Sequence, residues 1–198
     1  MKKWLLFAAL AAFAWGFFHK PEAGWKGLPA ERDPQQDTQQ LPAPINYGDY
    51  TVTPLARYAL KAVVLSRSRY RNDASAEIAP LDLALGWGSM SSASVINELT
   101  ISQSGRWYEY SWGSQGSPLE PDDIARHSAN THCLPATPEL RSRLLAVRRH
   151  DLVALSGYLV AVSGPDGFTW RSSLSRDDTG GGACEVMWIT ALESAPLK

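Results

Sequence analysis

The sequence predicts a mainly β domain with one or two short helices, an α+β fold built around a small antiparallel barrel. Three observations predict it. Short apolar runs with β-branched residues recur between residues 58 and 192, glycine-rich turns separate them, and helical periodicity is confined to two short stretches. Hydrophobic residues make up 44% of the 198-residue chain and charged residues 20%, so the chain has enough apolar side chains for one folded core.

The first twenty residues have the layout of an export signal. Lys2 and Lys3 precede an unbroken apolar run over residues 4–18. This run predicts a transmembrane helix that crosses the inner membrane once and leaves the C-terminal domain in the periplasm. The alternative is a signal peptide that is cleaved after Ala14 and releases a soluble periplasmic protein. Residues 1–20 are therefore assigned to a signal peptide or signal anchor, with the membrane as the partner of residues 4–18.

Residues 21–46 are predicted to form a linker. The segment is rich in proline and glutamine, and its sparse apolar residues follow no period. Such a composition is typical of an extended, solvated tether that holds a domain away from a membrane surface. The remaining residues, 47–198, are predicted to form a single β-rich periplasmic domain.

The elements of the first part of the domain follow from periodicity and turn residues. Thr137 is a good N-cap and Pro138 suits the first position of a helix, so a helix is expected to begin there. Gly105 marks a bend between two strands. The predicted strands cover residues 58–65, 81–87, 100–104 and 106–112, and the predicted helices cover residues 91–99 and 138–147.

The last fifty residues predict an antiparallel meander of three strands, over residues 151–162, 168–174 and 184–192, joined by glycine-rich turns. The run Asp151–Val162, followed by a hairpin, resembles the opening strands of small OB-like barrels. That resemblance implies an OB-like barrel and, by analogy of fold alone, an oligonucleotide-binding module.

Four segments resemble stretches that occur together in uncharacterised, signal-bearing proteins of Gram-negative bacteria. They are DLALGWGSMS, ISQSGRWYEYSW, HSANTHCLPA and SSLSRDDTGGGACEV. The resemblance covers most of the domain. It implies export and a single domain, and it carries no activity with it.

The two cysteines, Cys133 and Cys184, predict a disulfide, because paired cysteines in an exported domain meet an oxidising environment. Closing a loop of about fifty residues would be worth roughly 4 kcal/mol on the chain-entropy estimate. Two alternatives stay open: a pair of unbonded structural thiols, or a catalytic cysteine. In the catalytic alternative, His127 and His132 supply a base for Cys184, and Arg171 or Arg176 stabilises an oxyanion.

The layout of anchor, linker and barrel is similar to that of membrane-anchored sortases, which use Cys, His and Arg. The sequence departs from the sortase pattern on both sides of Cys184. The preceding residues are Gly181-Gly182-Ala183, and no arginine follows in the last strand. His127, His132 and Cys184 therefore form a secondary candidate site, and no catalytic residue is assigned.

The loop over residues 176–182 is the favoured candidate for a ligand or functional loop. Its three glycines permit positive φ and close approach of the backbone to a ligand, and their amides can form an anion-binding nest. The alternative, which the turn residues themselves favour, is a simple hairpin connection in which Asp-Thr-Gly supplies the turn. The candidate residues are Arg176, Asp177, Asp178, Thr179, Gly180, Gly181 and Gly182.

Other binding functions receive less support from the sequence. The formal net charge of −1 argues against a nucleic-acid coat. His127 and His132 lie five residues apart, in a segment around Cys133 that is predicted to be a loop and has no compact metal-binding pattern, so neither a metal nor another cofactor is predicted. Tyr108, Tyr110 and Trp112 alternate onto one strand face, which suits either a stacking platform for a sugar or base or one side of the core.

These patterns favour a non-enzymatic function. The predicted function is that of a membrane-anchored periplasmic domain that recognises a protein partner or another envelope component. The first alternative is a periplasmic hydrolase or transferase that depends on a cysteine or a metal. The second is the oligonucleotide-binding OB-like module.

Overall fold

In the part of the chain that the structure describes, the domain contains ten strands and three short α-helices. The computed structural model describes residues 23–73, 75–178 and 182–197. The strands are β1 (Gln35–Asp37), β2 (Ile45–Tyr47), β3 (Tyr50–Arg69), β4 (Leu81–Gly86), β5 (Leu99–Ser104), β6 (Trp107–Trp112), β7 (Ser128–Pro135), β8 (Asp151–Ser163), β9 (Thr169–Arg171) and β10 (Glu185–Pro196). The helices are α1 (Ala93–Glu98), α2 (Pro121–Arg126) and α3 (Pro138–Ala146). The prediction of a mainly β, α+β fold is confirmed.

Strand β3 organises the main sheet, because it pairs with β4 along part of its length and with β8 along another part. Strand β4 then pairs with β7, β7 with β10, and β10 with β8. The pairings that begin at β3 therefore return to β3. All are antiparallel except that of β7 with β10, which is parallel. Strands β5 and β6 form a separate two-stranded hairpin.

Strand β3 can serve both neighbours because it is long and irregular. Its register shifts between Pro54 and Ala56 against β8 and between Val64 and Ser66 against β4. Such bulges bend a strand and increase its twist. Pro54 cannot donate a ladder hydrogen bond, so its position at a bulge is the one that a strand tolerates. The bends let a single strand border both halves of the sheet.

Alternation along the strands separates two faces. One side packs into a central core that includes Leu81, Leu83, Cys133 and Met187. Helix α3 covers this core as well, because Leu140 and Leu144 of the helix and Val147 directly after it pack into the core. The opposite side of the strands meets two smaller apolar clusters, and one of them lies beneath the β5–β6 hairpin. Side chains on that opposite side are available to loops and to solvent.

The predicted linker is corrected in its described part, residues 23–46. Strand β1 pairs with β3, and β2 forms a hairpin with β3. Trp25 is 8% exposed and its indole Nε1 donates to the Ser91 carbonyl over 2.9 Å. The stretch packs against the domain and is not a solvated tether, because Ala23, Trp25 and Ala30 are buried and two short strands pair with β3.

The segment around Cys133 is also corrected, from loop to strand. Residues 128–135 form β7, which lies between β4 and β10, and all eight of its residues are buried. A second correction adds α2, which was not predicted. The predicted signal segment, residues 1–20, lies outside the described residues. Within the described part of the chain, no helix has the length and apolar character needed to cross a membrane.

Candidate functional site

Three side chains that could take part in a reaction meet on the face of β4, β7 and β10 that is turned away from the central core. Asp82 and His132 are direct cross-strand partners in the β4–β7 ladder. Leu81 and Leu83 point into the core, so Asp82 between them points to the other side. His132 takes the same side because its neighbour Cys133 faces the core. Antiparallel register therefore places a carboxylate beside an imidazole.

Asp82 and His132 form a buried pair. The Nδ1 atom of His132 lies 2.9 Å from Oδ2 of Asp82, and the two side chains are 4% and 0% exposed. Neither atom has another hydrogen-bond partner among the described residues. With Nδ1 turned to the carboxylate, Nε2 is the ring nitrogen left for a third group.

The third group is the thiol of Cys184, which directly precedes β10 and is half-buried. The thiol and the His132 imidazole border the same cleft, and the thiol is close enough to affect the pKa of His132. Burial lowers the pKa of His132, but the contacts with Asp82 and Cys184 outweigh it, so the pKa is raised above its ordinary value. The order thiol, imidazole, carboxylate is that of a cysteine nucleophile with an oriented base.

Asn130 brings a fourth polar group to the thiol. Its Nδ2 donates to the Arg106 carbonyl over 2.9 Å and lies 3.7 Å from the Cys184 sulfur. Its Oδ1 accepts from Nε2 of Gln103 over 2.7 Å, and this bond fixes which end of the amide faces the sulfur. Asn130 is 4% exposed. A rigid amide donor beside a nucleophile is suited to stabilising negative charge on sulfur or on a bound oxyanion.

Arg106 holds the carboxylate side of the site. It lies at the turn of the β5–β6 hairpin, with φ +71°, and its Nη1 donates to Oδ1 of Asp82 over 2.7 Å. The same guanidinium binds Asp73 through Nε and Nη2 and stacks 3.8 Å from the centre of the Tyr70 ring. Slight burial raises the pKa of Asp73, but hydrogen bonds from Arg106 and Ser75 outweigh it and lower that pKa. Arg106 thus offsets the charge of Asp82 and fixes its orientation.

Clefts open on both sides of Cys184. One has a volume of about 260 Å³ and is bordered by Tyr108, Asn130 and Arg176. The other has a volume of about 370 Å³ and is bordered by His132 and Trp170. Both share Cys184 and the half-exposed Trp107 as walls. A bound molecule can therefore reach the thiol from either side.

The predicted disulfide is not formed, because Cys133 and Cys184 are both free. Cys133 pairs with Met187 across β7 and β10, which places Cys184 three residues away along the strand. Three residues span about 10 Å, beyond the roughly 7 Å that a disulfide bridges between Cα atoms. Cys133 is fully buried in the central core, and burial raises the pKa of its thiol well above the ordinary value. Of the two thiols, Cys184 is the accessible one.

The secondary candidate set is brought together in part. His132 and Cys184 meet, whereas His127 lies at the end of α2, where its Nδ1 is 2.8 Å from Oδ1 of Asp123. Of the two arginines considered as oxyanion stabilisers, Arg171 and Arg176 border different clefts. No group of three metal-ligating side chains is found in residues 23–73, 75–178 and 182–197.

The favoured candidate loop is anchored by its side chains. Arg176 pairs with the buried carboxylate of Glu185, and Asp177 pairs with Arg126 over 2.9 Å. Asp178 accepts a hydrogen bond from Oγ of Ser173 over 2.5 Å. Gly182 has φ +92° and borders the cleft of His132 and Trp170. Thr179, Gly180 and Gly181 lie outside the described residues.

Tyr108, Tyr110 and Trp112 were predicted to share one strand face, as either a stacking platform or one side of the core, and they divide between these two environments. Tyr108 and Tyr110 pack against the cluster beneath the hairpin, and burial raises the pKa of Tyr108 strongly. Trp112 is 39% exposed. Trp107, which borders both clefts, is 50% exposed and lies on the other face of β6.

Sequence reasoning missed Asp82, Arg106 and Asn130. Asp82 carried a usable signal, because a single acidic residue in the apolar run LDLALG must be buried and therefore needs partners. Arg106 and Asn130 carried none, since their roles depend on how the hairpin packs beside β7.

Comparisons with known proteins give no relative. No family model matches the chain, and no curated protein or solved structure is found to be similar to it. A function must therefore be argued from the site itself.

Proposed function

We propose that the domain is a cysteine-dependent hydrolase or transferase that moves an acyl group through a thioester on Cys184. The observation that carries the proposal is the alignment of the Cys184 thiol, the His132 imidazole and the Asp82 carboxylate on one face, with a cleft on either side of the sulfur. Nucleophilic catalysis by cysteine needs this order of groups.

The reaction has two halves. His132 takes the proton from Cys184, the sulfur attacks the acyl carbonyl, and Asn130 donates to the charge that develops. When the tetrahedral intermediate collapses, the bond from the carbonyl carbon to the leaving oxygen or nitrogen breaks, and His132 returns the proton to that atom. Water or another acceptor then attacks the thioester, its proton passes through His132, and the thiol is restored. Asp82 holds the imidazole in the required tautomer throughout.

The test uses 4-nitrophenyl acetate, an activated ester that reports acylation directly. We expect one acetyl group on Cys184 per chain, seen by peptide mass mapping, with release of one equivalent of 4-nitrophenolate. Cys184→Ala abolishes this acylation, and His132→Gln slows it by about 10²–10⁴-fold, the usual share of a general base.

The matched control is Cys133→Ala, which removes the buried thiol and leaves the reactive one. It should be acylated at the wild-type rate. If acylation persists in Cys184→Ala, or is equally fast in urea-unfolded protein, then the fold does not activate Cys184 as a nucleophile and the proposal is excluded.

A second candidate function is the recognition of an envelope component or protein partner, which the sequence favours. Its support is Trp107, which is 50% exposed at the mouth of both clefts. A large exposed aromatic beside a cleft is typical of a binding surface. Full folding together with an inert Cys184 thiol would leave this function as the better proposal.

The strand order supports the proposal that the domain is an OB-like barrel. In order of pairing the strands are β3, β4, β7, β10 and β8, and β8 meets β3 again. A five-stranded barrel of this kind uses the outer face of its second and third strands for ligands. Those strands correspond to β4 and β7, which carry Asp82 and His132. The site would then occupy the face that such barrels use for binding.

Residues 1–20 support the proposal that this chemistry takes place outside the cytoplasm, with the chain anchored in the inner membrane or released after cleavage. In that compartment an unpaired thiol is exposed to oxidation.

A further inference from the structure

Three buried polar side chains, Tyr58, Trp87 and Glu185, lie near the partly exposed Arg176, and we term these four residues the interior polar cluster. Arg176 joins them. It pairs with the carboxylate of Glu185, lies 5.8 Å from the centre of the Trp87 ring, and carries the charge that opposes burial at Tyr58. Burial nevertheless raises the pKa of Tyr58.

The interior polar cluster has hydrogen-bonding capacity that the described residues leave unused. Oε2 of Glu185, Oη of Tyr58 and Nε1 of Trp87 have no hydrogen-bond partner among them. Glu185, Tyr58 and Trp87 are 0%, 3% and 1% exposed. Buried polar atoms are nearly always satisfied, so the unpartnered oxygen of Glu185, a residue that borders a cleft, points to a group that comes from outside the chain.

The cluster is continuous with the thiol. Cys184, Arg176 and Glu185 border the same cleft, in which the side chains of Trp107 and Tyr108 form an aromatic wall. The cleft volume of about 260 Å³ lies just below the roughly 300–1,000 Å³ of pockets that hold drug-sized ligands. It therefore has room for one compact ring and not for an extended chain.

The chemistry of the cleft selects among compact groups. Tyr58 and Trp87 lie behind the cleft in the central core, so the groups that meet a ligand are those that border it. Glu185 accepts hydrogen bonds and Arg176 and Asn130 donate them, so the ligand must carry donors and acceptors side by side. The carboxylate of Glu185 repels a phosphate or a carboxylate. A plain hydrocarbon would desolvate the ion pair without replacing its hydrogen bonds. Adjacent hydroxyl groups on a sugar ring meet the requirement, and the negative face of an aromatic ring attracts the polarised C–H groups of a sugar.

We propose that this cleft binds a sugar ring and that Cys184 removes or transfers an acyl group esterified to that sugar, an inference that rests on the proposed acyl-transfer function. Sulfur forms a bond to the acyl carbon, and the bond from that carbon to the sugar oxygen breaks. The sugar oxygen leaves with the proton that His132 took from the thiol. Water then hydrolyses the thioester to the free acid and restores the thiol.

The binding test measures protection of Cys184. The full chain is alkylated with iodoacetamide, and the label on Cys184 is followed by peptide mass mapping in the presence of N-acetylglucosamine, methyl glucoside, glycylglycinamide or uridine monophosphate. We expect a sugar to slow alkylation by about tenfold at roughly ten times its Kd. Protection by the dipeptide amide or the nucleotide in place of the sugars, or protection by none of the four, overturns the proposal.

The variant test compares two exposed tryptophans of the same strand. Trp107→Ala removes the wall of the cleft and should weaken sugar binding by about tenfold, which corresponds to about 1.4 kcal/mol of contact. Trp112→Ala is the matched control, because Trp112 does not border the cleft, and it should keep the wild-type Kd. Equal effects of the two variants contradict the assignment of the cleft.

The turnover test separates the proposal of a sugar ester as substrate from the acyl-transfer function on which that proposal rests. Wild-type protein is given 6-O-acetylglucose and, in parallel, 4-nitrophenyl acetate. The rate of acetate release from the sugar ester is divided by the rate from 4-nitrophenyl acetate, at equal substrate concentration. The inference is supported if this ratio is larger with the protein than for the uncatalysed hydrolysis of the two esters. Acylation by 4-nitrophenyl acetate without any turnover of the sugar ester refutes the sugar and leaves acyl transfer standing. Acylation by neither ester refutes acyl transfer itself.

Discussion

Asp82 is the residue on which the chemistry of the site depends. It is fully buried, and a buried carboxylate is costly unless it is paired. Arg106 occupies one of its oxygens and His132 the other. The guanidinium of Arg106 therefore holds the carboxylate in the orientation that presents its other oxygen to the imidazole. The same pairing explains why an acidic residue is tolerated in the apolar run of β4.

The raised pKa of His132 predicts a pH-dependent contribution to stability. In the folded chain the protonated imidazole is favoured by Asp82, so the stabilisation is fully present below the unfolded pKa of about 6.5 and is lost as pH rises through the folded pKa. We expect the difference in free energy of unfolding between wild type and His132→Gln to shrink from about pH 5 to about pH 9. Urea unfolding across that range measures it.

His150 provides the control of opposite sign. Burial, and then the nearby Arg149, lower the pKa of His150. Its contribution is therefore present above about pH 6.5 and is lost as pH falls. The difference between wild type and His150→Gln should grow from about pH 5 to about pH 8. Parallel slopes for the two histidines would contradict the roles assigned to Asp82 and Arg149.

At the scale of elements, the cap of α3 is the feature that the sequence specifies most directly. Thr137 was predicted as its N-cap, and Oγ1 of Thr137 accepts a hydrogen bond from the Leu140 amide over 3.2 Å. Thr137→Ala should lower the free energy of unfolding by about 1 kcal/mol, and Thr137→Ser should restore most of it. Urea denaturation measures both. Ser92→Ala is the control. Ser92 is the N-cap of α1, but its side chain makes no capping hydrogen bond to the helix, so this substitution should lower the free energy of unfolding by only about 0.3 kcal/mol.

Elements were predictable where local pattern and tertiary environment agree. Strands β4, β5, β6 and β8 follow turn residues and apolar runs, and α3 follows its cap. Strand β7 was mistaken for a loop because its sequence, SANTHCLP, is polar and contains proline. It is nevertheless buried, since its polar side chains belong to the site and are satisfied there by Asp82, Gln103 and Arg106. Because its polar site residues interrupt the apolar alternation, a strand that carries a site is harder to recognise from sequence than a strand that only builds the core.

The whole molecule brings together residues that no local window contains. Asp82 and His132 are fifty residues apart in sequence, and Cys184 follows after another fifty-two. They meet because β7 lies between β4 and β10. The parallel pairing of β7 with β10 is the step that a meander of the last three strands could not predict, since the expected neighbours were antiparallel. The sequence could therefore suggest His132 and Cys184 as residue types suited to a site, but it could not predict that the two lie together.

The N-terminal stretch contributes to this assembly, and Trp25 is the residue that tests it. Trp25 packs in the cluster beneath the hairpin, edge-on to His150 at 5.5 Å between ring centroids, and donates to the Ser91 carbonyl. Trp25→Ala should lower the free energy of unfolding by about 3–5 kcal/mol, because it leaves a cavity and an unpaired carbonyl. Trp112→Ala, at an exposed site, should cost about 0.5 kcal/mol or less. Equal costs in urea denaturation would show that residues 23–46 behave as a free tether after all.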